Sequence, residues 1–147
     1  MARQVAVIGS GAEWESAAEE VGRLLAEHGC TVITGGLGEV MAAAHRGAKS
    51  AGGTTIAILP GEDRTAANPW ADHVVVTGIG HARNLAVAAT GDAVIAIGGS
   101  YGTLAEMALA LRLGRPVVAL AGTPDVDGAL RATSPADAVE LALRHLG

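Results

Sequence analysis

Two side chains suited to binding or transforming an anionic ligand are predicted at the starts of helices. Arg83 follows Gly80-His81-Ala82 at the entry to one helix, where its planar guanidinium suits bidentate binding of a phosphate. The alternative is a structural ion pair with a carboxylate such as Asp92. Glu106 is predicted in the first turn of the helix after Gly102-Thr103, where the helix dipole stabilises a carboxylate with or without a catalytic role. For both residues the sequence alone leaves the two interpretations open.

Glycine clusters follow four of the predicted strands, the first, second, fourth and fifth. In an open parallel sheet, ligands bind beyond the carboxyl ends of the strands. Glycine there lets the backbone approach a phosphate, and the following helix offers unpaired N–H groups. Thr103 is expected to cap its helix, to donate to the phosphate, or to do each at different times. The sequence therefore predicts a phosphate-binding edge with the candidate residues Gly9, Ser10, Gly35, Gly36, Gly38, Gly80, Gly98, Gly99, Ser100, Gly102 and Thr103.

The common cofactor motifs are missing from these loops. The first glycine turn lacks the third small residue of the dinucleotide fingerprint, and the second strand ends without an acidic residue for a ribose, which disfavours NAD. No Gly-Lys-Ser/Thr is present, so the loops are not a P-loop. The one lysine, Lys49, lies on a predicted helix away from the binding edge, which makes a pyridoxal phosphate enzyme improbable. The five histidines show no metal-ligand spacing, and we predict no metal site.

The elements that must position these residues alternate between short β-branched runs and longer helical patterns. Val5–Ile8, Thr31–Thr34 and Thr54–Leu59 are predicted strands, and Ala93–Ile97 is another. Such alternation predicts βαβ units and a parallel sheet. We predict an α/β fold with a doubly wound, mainly parallel Rossmann-like sheet covered by helices on both faces, forming a single nucleotide- or phosphate-binding domain over residues 1–147. Further strands (73–76, 116–120), a long loop (60–72) and a last helix capped by Ser134 with Pro135 in its first turn complete the prediction.

The composition limits the class of partner. Hydrophobic residues make up 50% of the 147 residues, the formal net charge is −5, and there are no phenylalanines. The absence of a basic cluster and of aromatic platforms disfavours nucleic acid. No apolar run is long enough for a membrane span and no signal-peptide pattern is present, so we expect a cytoplasmic protein without a membrane partner. The single Cys30 excludes an internal disulfide.

Two motifs resemble a known superfamily. Arg83-Asn84 and Gly98-Gly99-Ser100-Tyr101-Gly102-Thr103-Leu104-Ala105-Glu106 resemble the paired signatures of the LOG family, the cytokinin-activating phosphoribohydrolases formerly called lysine decarboxylase-like. The segment that starts at Gly35 resembles their other glycine loop. The chain is most similar to a short branch that includes the molybdenum cofactor carrier proteins. That branch also has Arg-Asn, the same tyrosine and a following Ala-Leu-Ala-Leu, which here is Ala108–Leu111.

The resemblance implies two functions of different classes. As a carrier or sensor, the chain would bind a molybdopterin-type cofactor or a purine nucleoside monophosphate, with Asn84 and Tyr101 among the binding residues. As an enzyme, it would be a nucleoside 5′-monophosphate phosphoribohydrolase with Arg83 and Glu106 as catalytic residues. The departures from the hydrolase pattern are Asn84 for lysine, Ala105 for the first glutamate and Gly98 for proline, while Glu39 brings negative charge towards the second glycine loop. A homodimer or higher homo-oligomer is also implied.

Overall fold

The structure, a computed structural model, describes residues 1–120 and 122–146. Its strands are β1 (Gln4–Ser10), β2 (Thr31–Thr34), β3 (Thr55–Leu59), β4 (His73–Val76), β5 (Ala93–Gly98), β6 (Val117–Ala119) and β7 (Leu130–Arg131). Its α-helices are α1 (Glu15–Glu27), α2 (Glu39–Ser50), α3 (Arg83–Thr90), α4 (Tyr101–Arg112) and α5 (Pro135–Arg144). Short 3-10 turns cover Ala12–Trp14, Arg64–Ala66 and Gly80–Ala82.

The strands form one sheet in the order β4-β3-β2-β1-β5-β6-β7, and every neighbouring pair is parallel. The chain moves outward from β1 to β4 on one side and then returns to place β5 on the other side of β1. This reversal is the topological switch point, where open α/β sheets bind ligands at the carboxyl ends of their strands. At that edge Ser10 of β1 is in register with Gly98 of β5.

The helices cover both faces of the sheet. One buried cluster joins the sheet to α1, α2 and α5, and the other joins the opposite face to α3 and α4. The central strands β1 and β5 contribute to both clusters because their alternating side chains point to opposite faces. The predicted doubly wound, parallel α/β fold is therefore confirmed. Within the described residues, no helix has both the length and the apolar character needed to cross a membrane.

Helix α1 packs closely on α2 because each contributes a glycine at the crossing. A Cβ on Gly22 would lie 1.9 Å from the Ala44 carbonyl oxygen, and a Cβ on Gly47 would lie 1.9 Å from that of Glu19. Any larger residue would have to separate the two backbones. This contact fixes α2, and with it the glycine loop that precedes α2, against the sheet.

Most predicted elements are present, with corrections at the edges. The sixth strand is shorter than the predicted 116–120, and the two-residue strand β7, which was not predicted, pairs with it. The predicted loop after β3 contains one 3-10 turn. Ser134 caps α5 as predicted, since its hydroxyl accepts from the Asp137 backbone N–H at 3.0 Å and Pro135 occupies the first turn.

Candidate functional site

A cavity of about 200 Å³ lies at the carboxyl edge of the sheet, between the ends of β1 and β5. Residues from four segments of the chain meet there: the end of β1, helix α2, the start of α3 and the start of α4. The lining residues are Gly9, Ser10, Met41, His81, Arg83, Asn84, Ser100, Gly102, Thr103 and Glu106. The cavity thus occupies the topological switch point.

Arg83 is the first residue of α3 and is 8% exposed, so its charge is largely removed from water. One terminal nitrogen donates to the Gly35 carbonyl oxygen at 3.3 Å, and the other donates to the side-chain oxygen of Asn84. The Nε atom has no hydrogen-bond partner. Burial lowers the pKa of the guanidinium, and the nearby Glu106 carboxylate opposes this shift. The alternative pairing with Asp92 is not formed, because Asp92 accepts from the Gln4 backbone N–H at the start of β1, the opposite edge of the sheet.

Glu106 is 4% exposed and faces Arg83 across the cavity. It lies in the second turn of α4, not in the first as the sequence predicted, since that helix begins at Tyr101. Its Oε2 has no hydrogen-bond partner. Burial raises the pKa of the carboxyl to about 7, and attraction to Arg83 only partly opposes that rise. The group is therefore close to half-ionised at neutral pH.

The start of α4 supplies backbone donors to the cavity. Gly98 and Gly99 have φ angles of +62° and +97°, which favour glycine. Ser100 is the N-cap residue, but its side chain does not cap the helix. Thr103 does not cap it either; its hydroxyl packs so closely on Gly99 that a Cβ there would lie 2.0 Å from Oγ1. The first backbone N–H groups of α4 therefore keep the unpaired donors typical of a helix start.

The glycine loop after β2 packs against the guanidinium of Arg83. A Cβ on Gly35 would lie 2.6 Å from the Arg83 Nη2 atom, so a larger residue there would displace the guanidinium from its present position. The Asn68 backbone N–H donates to the Gly36 carbonyl oxygen at 2.9 Å, and the Asn68 amide lies 3.2 Å from Nδ1 of His45. Asn68 thus ties the loop before β4 to the glycine loop and, through it, to Arg83.

His45 is fully buried on α2, and its Nε2 atom has no hydrogen-bond partner. Burial lowers the pKa of the imidazole to about 4, against the opposing effect of the Asn68 hydrogen bond. The ring is therefore neutral at physiological pH, and Nδ1 accepts from the Asn68 amide. His45 therefore serves the packing under the glycine loop.

The predicted residues divide into those that line the cavity and those that shape it. Gly9, Ser10, Arg83, Asn84, Ser100, Gly102, Thr103 and Glu106 line it. Gly80 lies in an adjoining cavity of about 350 Å³. The lining does not include Gly35, Gly36, Gly38, Gly98, Gly99 and Tyr101.

Several of the residues outside the lining have a clear structural reason for their type. A Cβ on Gly36 would meet Leu59 and Ala57, and one on Gly98 would lie 2.3 Å from the Trp14 ring. Gly38 is the N-cap residue of α2, and Tyr101 is 86% exposed. Packing, rather than contact with the cavity, therefore requires glycine at Gly36 and Gly98.

Sequence reasoning missed two lining residues, Met41 and His81. Met41 fits the inward-facing pattern of α2, and such a pattern predicts burial rather than contact with a cavity. His81 is exposed and lies two residues before Arg83 in the turn that starts α3. That proximity to Arg83 was the available signal for His81. No group of three or more potential metal ligands is found within residues 1–120 and 122–146.

The model of the SLOG cluster4 family matches residues 2–143. The chain belongs to the SLOG cluster4 family. A curated protein of Archaeoglobus fulgidus is 42% identical over 139 residues, covering 92% of this chain and 91% of its own. The molybdenum cofactor binding protein of Rippkaea orientalis superposes with a TM-score of 0.92 at 33% identity, covering 100% of this chain and 99% of its own. The molybdenum cofactor carrier protein of Chlamydomonas reinhardtii superposes with a TM-score of 0.88 at 34% identity, covering 99% and 98%.

These similarities confirm the resemblance drawn from the two motifs. The family model matches nearly the full length of this chain, and the two solved structures share its fold over nearly their full length. The cavity described above therefore lies in a fold of the molybdenum cofactor carrier type.

Proposed function

We propose that the chain is a carrier or sensor that binds a small phosphate-bearing ligand in the cavity between β1 and β5. The observation that carries the proposal is the unpaired Nε of the buried Arg83, next to the N-terminus of α4 in the same cavity. A buried cation is costly unless an anion compensates it. A phosphate would accept from the guanidinium and from the backbone N–H groups of α4 at once.

For the ligand class we propose a molybdopterin-type cofactor, with a purine nucleoside monophosphate as the related alternative. The similar proteins of Rippkaea orientalis and Chlamydomonas reinhardtii are a molybdenum cofactor binding protein and a molybdenum cofactor carrier protein. The residues here fit the phosphate end of such a molecule, since Ser100, Gly102 and Thr103 place a hydroxyl and backbone donors near Arg83. In this proposal the cofactor is cargo, and the chain protects and positions it.

Calorimetric titration of the purified chain with inorganic pyrophosphate, GMP and AMP tests the anion site. We expect saturable binding that weakens at least tenfold in Arg83→Gln, because a charge-assisted hydrogen bond is worth about 1.5–3 kcal/mol. The matched control is Arg131→Gln, which removes an exposed arginine from β7. No binding of any of the three to the native chain, or equal loss in both variants, would refute the proposal.

The molybdopterin class needs its own measurement. We expect the chain, purified from cells that make the cofactor, to release a fluorescent oxidised pterin on denaturation, and Arg83→Gln to release far less. Equal amounts of pterin from the native chain and the variant would contradict the assignment of Arg83.

A second candidate is hydrolysis of the N-glycosidic bond of a nucleoside 5′-monophosphate. The observation that favours it is Glu106, whose carboxyl has a pKa of about 7 and an unpartnered oxygen facing the cavity. Ionised Glu106 would accept a proton from water as that water attacks C1′. The bond from C1′ to the base nitrogen breaks, the proton held by Glu106 passes through solvent to the departing base, and ribose 5-phosphate is the other product.

Release of ribose 5-phosphate from AMP, measured for the native chain and Glu106→Gln, distinguishes the enzyme from the carrier. Release by the native chain and its loss in the variant would establish the hydrolase. Binding without release by either would leave the carrier as the function.

We also propose a homodimer through the outer surface of α3 and α4. Leu85 is 48% exposed there, Tyr101 is largely exposed, and Ala105 and Ala108 are exposed on the same helix. Light scattering on the native chain should give twice the monomer mass of 14.6 kDa. Ala108→Glu should reduce the measured mass to that of the monomer. The control Ala136→Glu, at an exposed position on α5, should keep the mass of the dimer. A native monomer would refute the proposal.

A further inference from the structure

Two buried groups that can carry opposite charges line the same cavity of about 200 Å³. They are the guanidinium of Arg83 and the carboxyl of Glu106. Each has one buried atom, Nε and Oε2 respectively, without a hydrogen-bond partner among residues 1–120 and 122–146. Both side chains are nearly buried, so water hydrates neither charge well. An anion that enters the cavity to pair with Arg83 must therefore lie close to the Glu106 carboxyl.

The protonation state of Glu106 decides how well the cavity receives such an anion. When Glu106 is ionised, the pair is neutral, and repulsion by the carboxylate offsets the attraction of a phosphate to Arg83. When Glu106 is protonated, the pair carries one positive charge, and the carboxyl also offers an O–H donor. The same cavity thus favours a phosphate in one protonation state and disfavours it in the other.

A bound phosphate would drive Glu106 to its protonated state. In the free chain, burial raises the pKa of the carboxyl to about 7, and attraction to Arg83 partly opposes the rise. A phosphate on Arg83 would offset that attraction and add a negative charge nearby, and both effects favour the proton. We therefore expect the carboxyl to take up a proton when the ligand binds at or above neutral pH.

Within the described parts of the chain, two other ionisable side chains line this cavity. The strands that pack against α4, which are β1, β5 and β6, consist of uncharged residues. Helix α3 contributes Arg83, and the turn before it contributes the exposed His81. Because imidazoles can gain a proton near neutral pH, His81 needs a control of its own.

The nearest ionisable groups on α4 and α2 lie outside the cavity. On α4, Tyr101 is largely exposed at the start of the helix, and Arg112 lies in the last turn, at the opposite end. On α2, Glu39 is exposed in the first turn. The lining includes none of these three described residues. Glu106 is therefore the buried group whose proton sets the charge of the cavity.

We propose that Glu106 binds the ligand phosphate as a proton donor, so that the complex holds one proton on this carboxyl and the ligand leaves when that proton is lost. The inference rests on the proposed function, because the phosphate must occupy the cavity of Arg83. The retained proton also prevents Glu106 from accepting one from water. The bound chain therefore holds a phosphate ester without acting on it, and alkaline pH releases the ligand.

Calorimetric titration of the native chain at pH 7 and pH 8.5 tests the inference, with AMP or GMP as the probe, whichever binds more tightly. Their phosphate keeps its charge over this range, since its second pKa is about 6. We expect the affinity to fall about fifteenfold, as the protonated fraction of free Glu106 does. Titrations in buffers of different ionisation enthalpy should show uptake of about half a proton per ligand at pH 7 and nearly one at pH 8.5.

Three variants assign the proton. Glu106→Gln has an amide that donates at every pH, so its affinity should change less than about threefold between the two pH values, without proton uptake. At pH 8.5 it should bind the nucleotide at least about tenfold more tightly than the native chain does. His81→Gln should keep the native proton uptake, whatever its affinity. Glu39→Gln, which removes an exposed carboxylate from the first turn of α2, should keep the native pH dependence.

The outcomes separate this inference from the function on which it rests. If the nucleotide binds in an Arg83-dependent manner but equally well at pH 7 and pH 8.5, the anion site stands and the role of Glu106 is refuted. That role is also refuted if Glu106→Gln keeps the proton uptake or binds more weakly than the native chain at pH 8.5, or if His81→Gln abolishes the uptake. If neither nucleotide nor pyrophosphate binds, both proposals fail; if pyrophosphate alone binds, this inference fails and the anion site stands.

Discussion

Replacing Glu106 by glutamine should stabilise the ligand-free protein at alkaline pH and leave its stability nearly unchanged at acidic pH. In the folded chain burial raises the pKa of this carboxyl to about 7, whereas in the unfolded chain it returns to about 4.5. Below pH 4.5 the group is protonated in both states. Between the two pKa values only the folded state holds the proton, so native stability falls as the pH rises.

The magnitude follows from the pKa difference. Each pH unit between the two values is worth about 1.4 kcal/mol, so the native chain loses about 3 kcal/mol between pH 4.5 and pH 8 through this one group. Glutamine carries no charge at any pH and avoids the loss. The gain for Glu106→Gln at pH 8 should therefore be about 3 kcal/mol, or roughly 10 °C in Tm. Attraction to Arg83 is already included, since it only partly opposes the effect of burial.

Urea unfolding at pH 4.5, 6 and 8 measures the effect as a difference between variant and native chain, which cancels the other titrating groups. Glu140→Gln is the control. Glu140 pairs with Arg144 on the surface of α5, with both side chains more than half exposed, and its loss should cost less than about 1 kcal/mol at any of these pH values. A difference for Glu106→Gln that does not change with pH would refute the reasoning. A variant less stable than the native chain at pH 8 would show that attraction to Arg83 outweighs burial.

Three further predictions concern residues around the site. Gly9→Ala should lower the free energy of unfolding by more than about 3 kcal/mol, because its Cβ would lie 1.7 Å from the Ile97 carbonyl oxygen. The control Gly38→Ala has open space around its Cβ and should cost under about 1 kcal/mol in the same urea experiment. Burial lowers the pKa of the His45 imidazole to about 4. Acidification from pH 6.5 to pH 4 should therefore lower the free energy of unfolding of the native chain by about 3 kcal/mol through this group, and His45→Gln should lack this loss. Asn68→Ala should weaken pyrophosphate binding several-fold and cost about 1 kcal/mol of stability, and unchanged affinity would show that the loop holds Arg83 without the Asn68 amide.

Much of the fold was readable from the sequence because a buried parallel sheet has a strong pattern. The type and order of the elements follow from the apolar runs at β1, β3 and β5 and from the glycines that come after the first two helices. The two-residue β7 has no such pattern, since it forms only where β6 offers an edge to pair with. The position of Glu106 was misjudged by one turn because the start of α4 depends on the conformation of Gly98 and Gly99, which no hydrophobic period encodes.

The site was only partly predictable. The glycine motif identified the α4 loop and Arg83 identified the cationic group, but a glycine that shapes a backbone and one that borders a cavity look alike in sequence. Gly36 is needed for packing against Leu59, and nothing in its neighbours distinguishes it from Gly102. The contact between Asn68 and His45 joins residues 23 positions apart, and only the folded chain brings them together.

The position of Trp14 gives the protein a built-in optical probe. Its indole lies between the loops after β5 and β6, so close that a Cβ on Gly98 or on Gly122 would be 2.3 Å from the ring. The other tryptophan, Trp70, has the Arg46 guanidinium 5.2 Å from its ring centroid, on a different part of the surface. Since the chain has only these two tryptophans, Trp70→Phe leaves an emission signal from Trp14 alone. The environment of the α4 loop can then be compared with and without a ligand in real time, without a label.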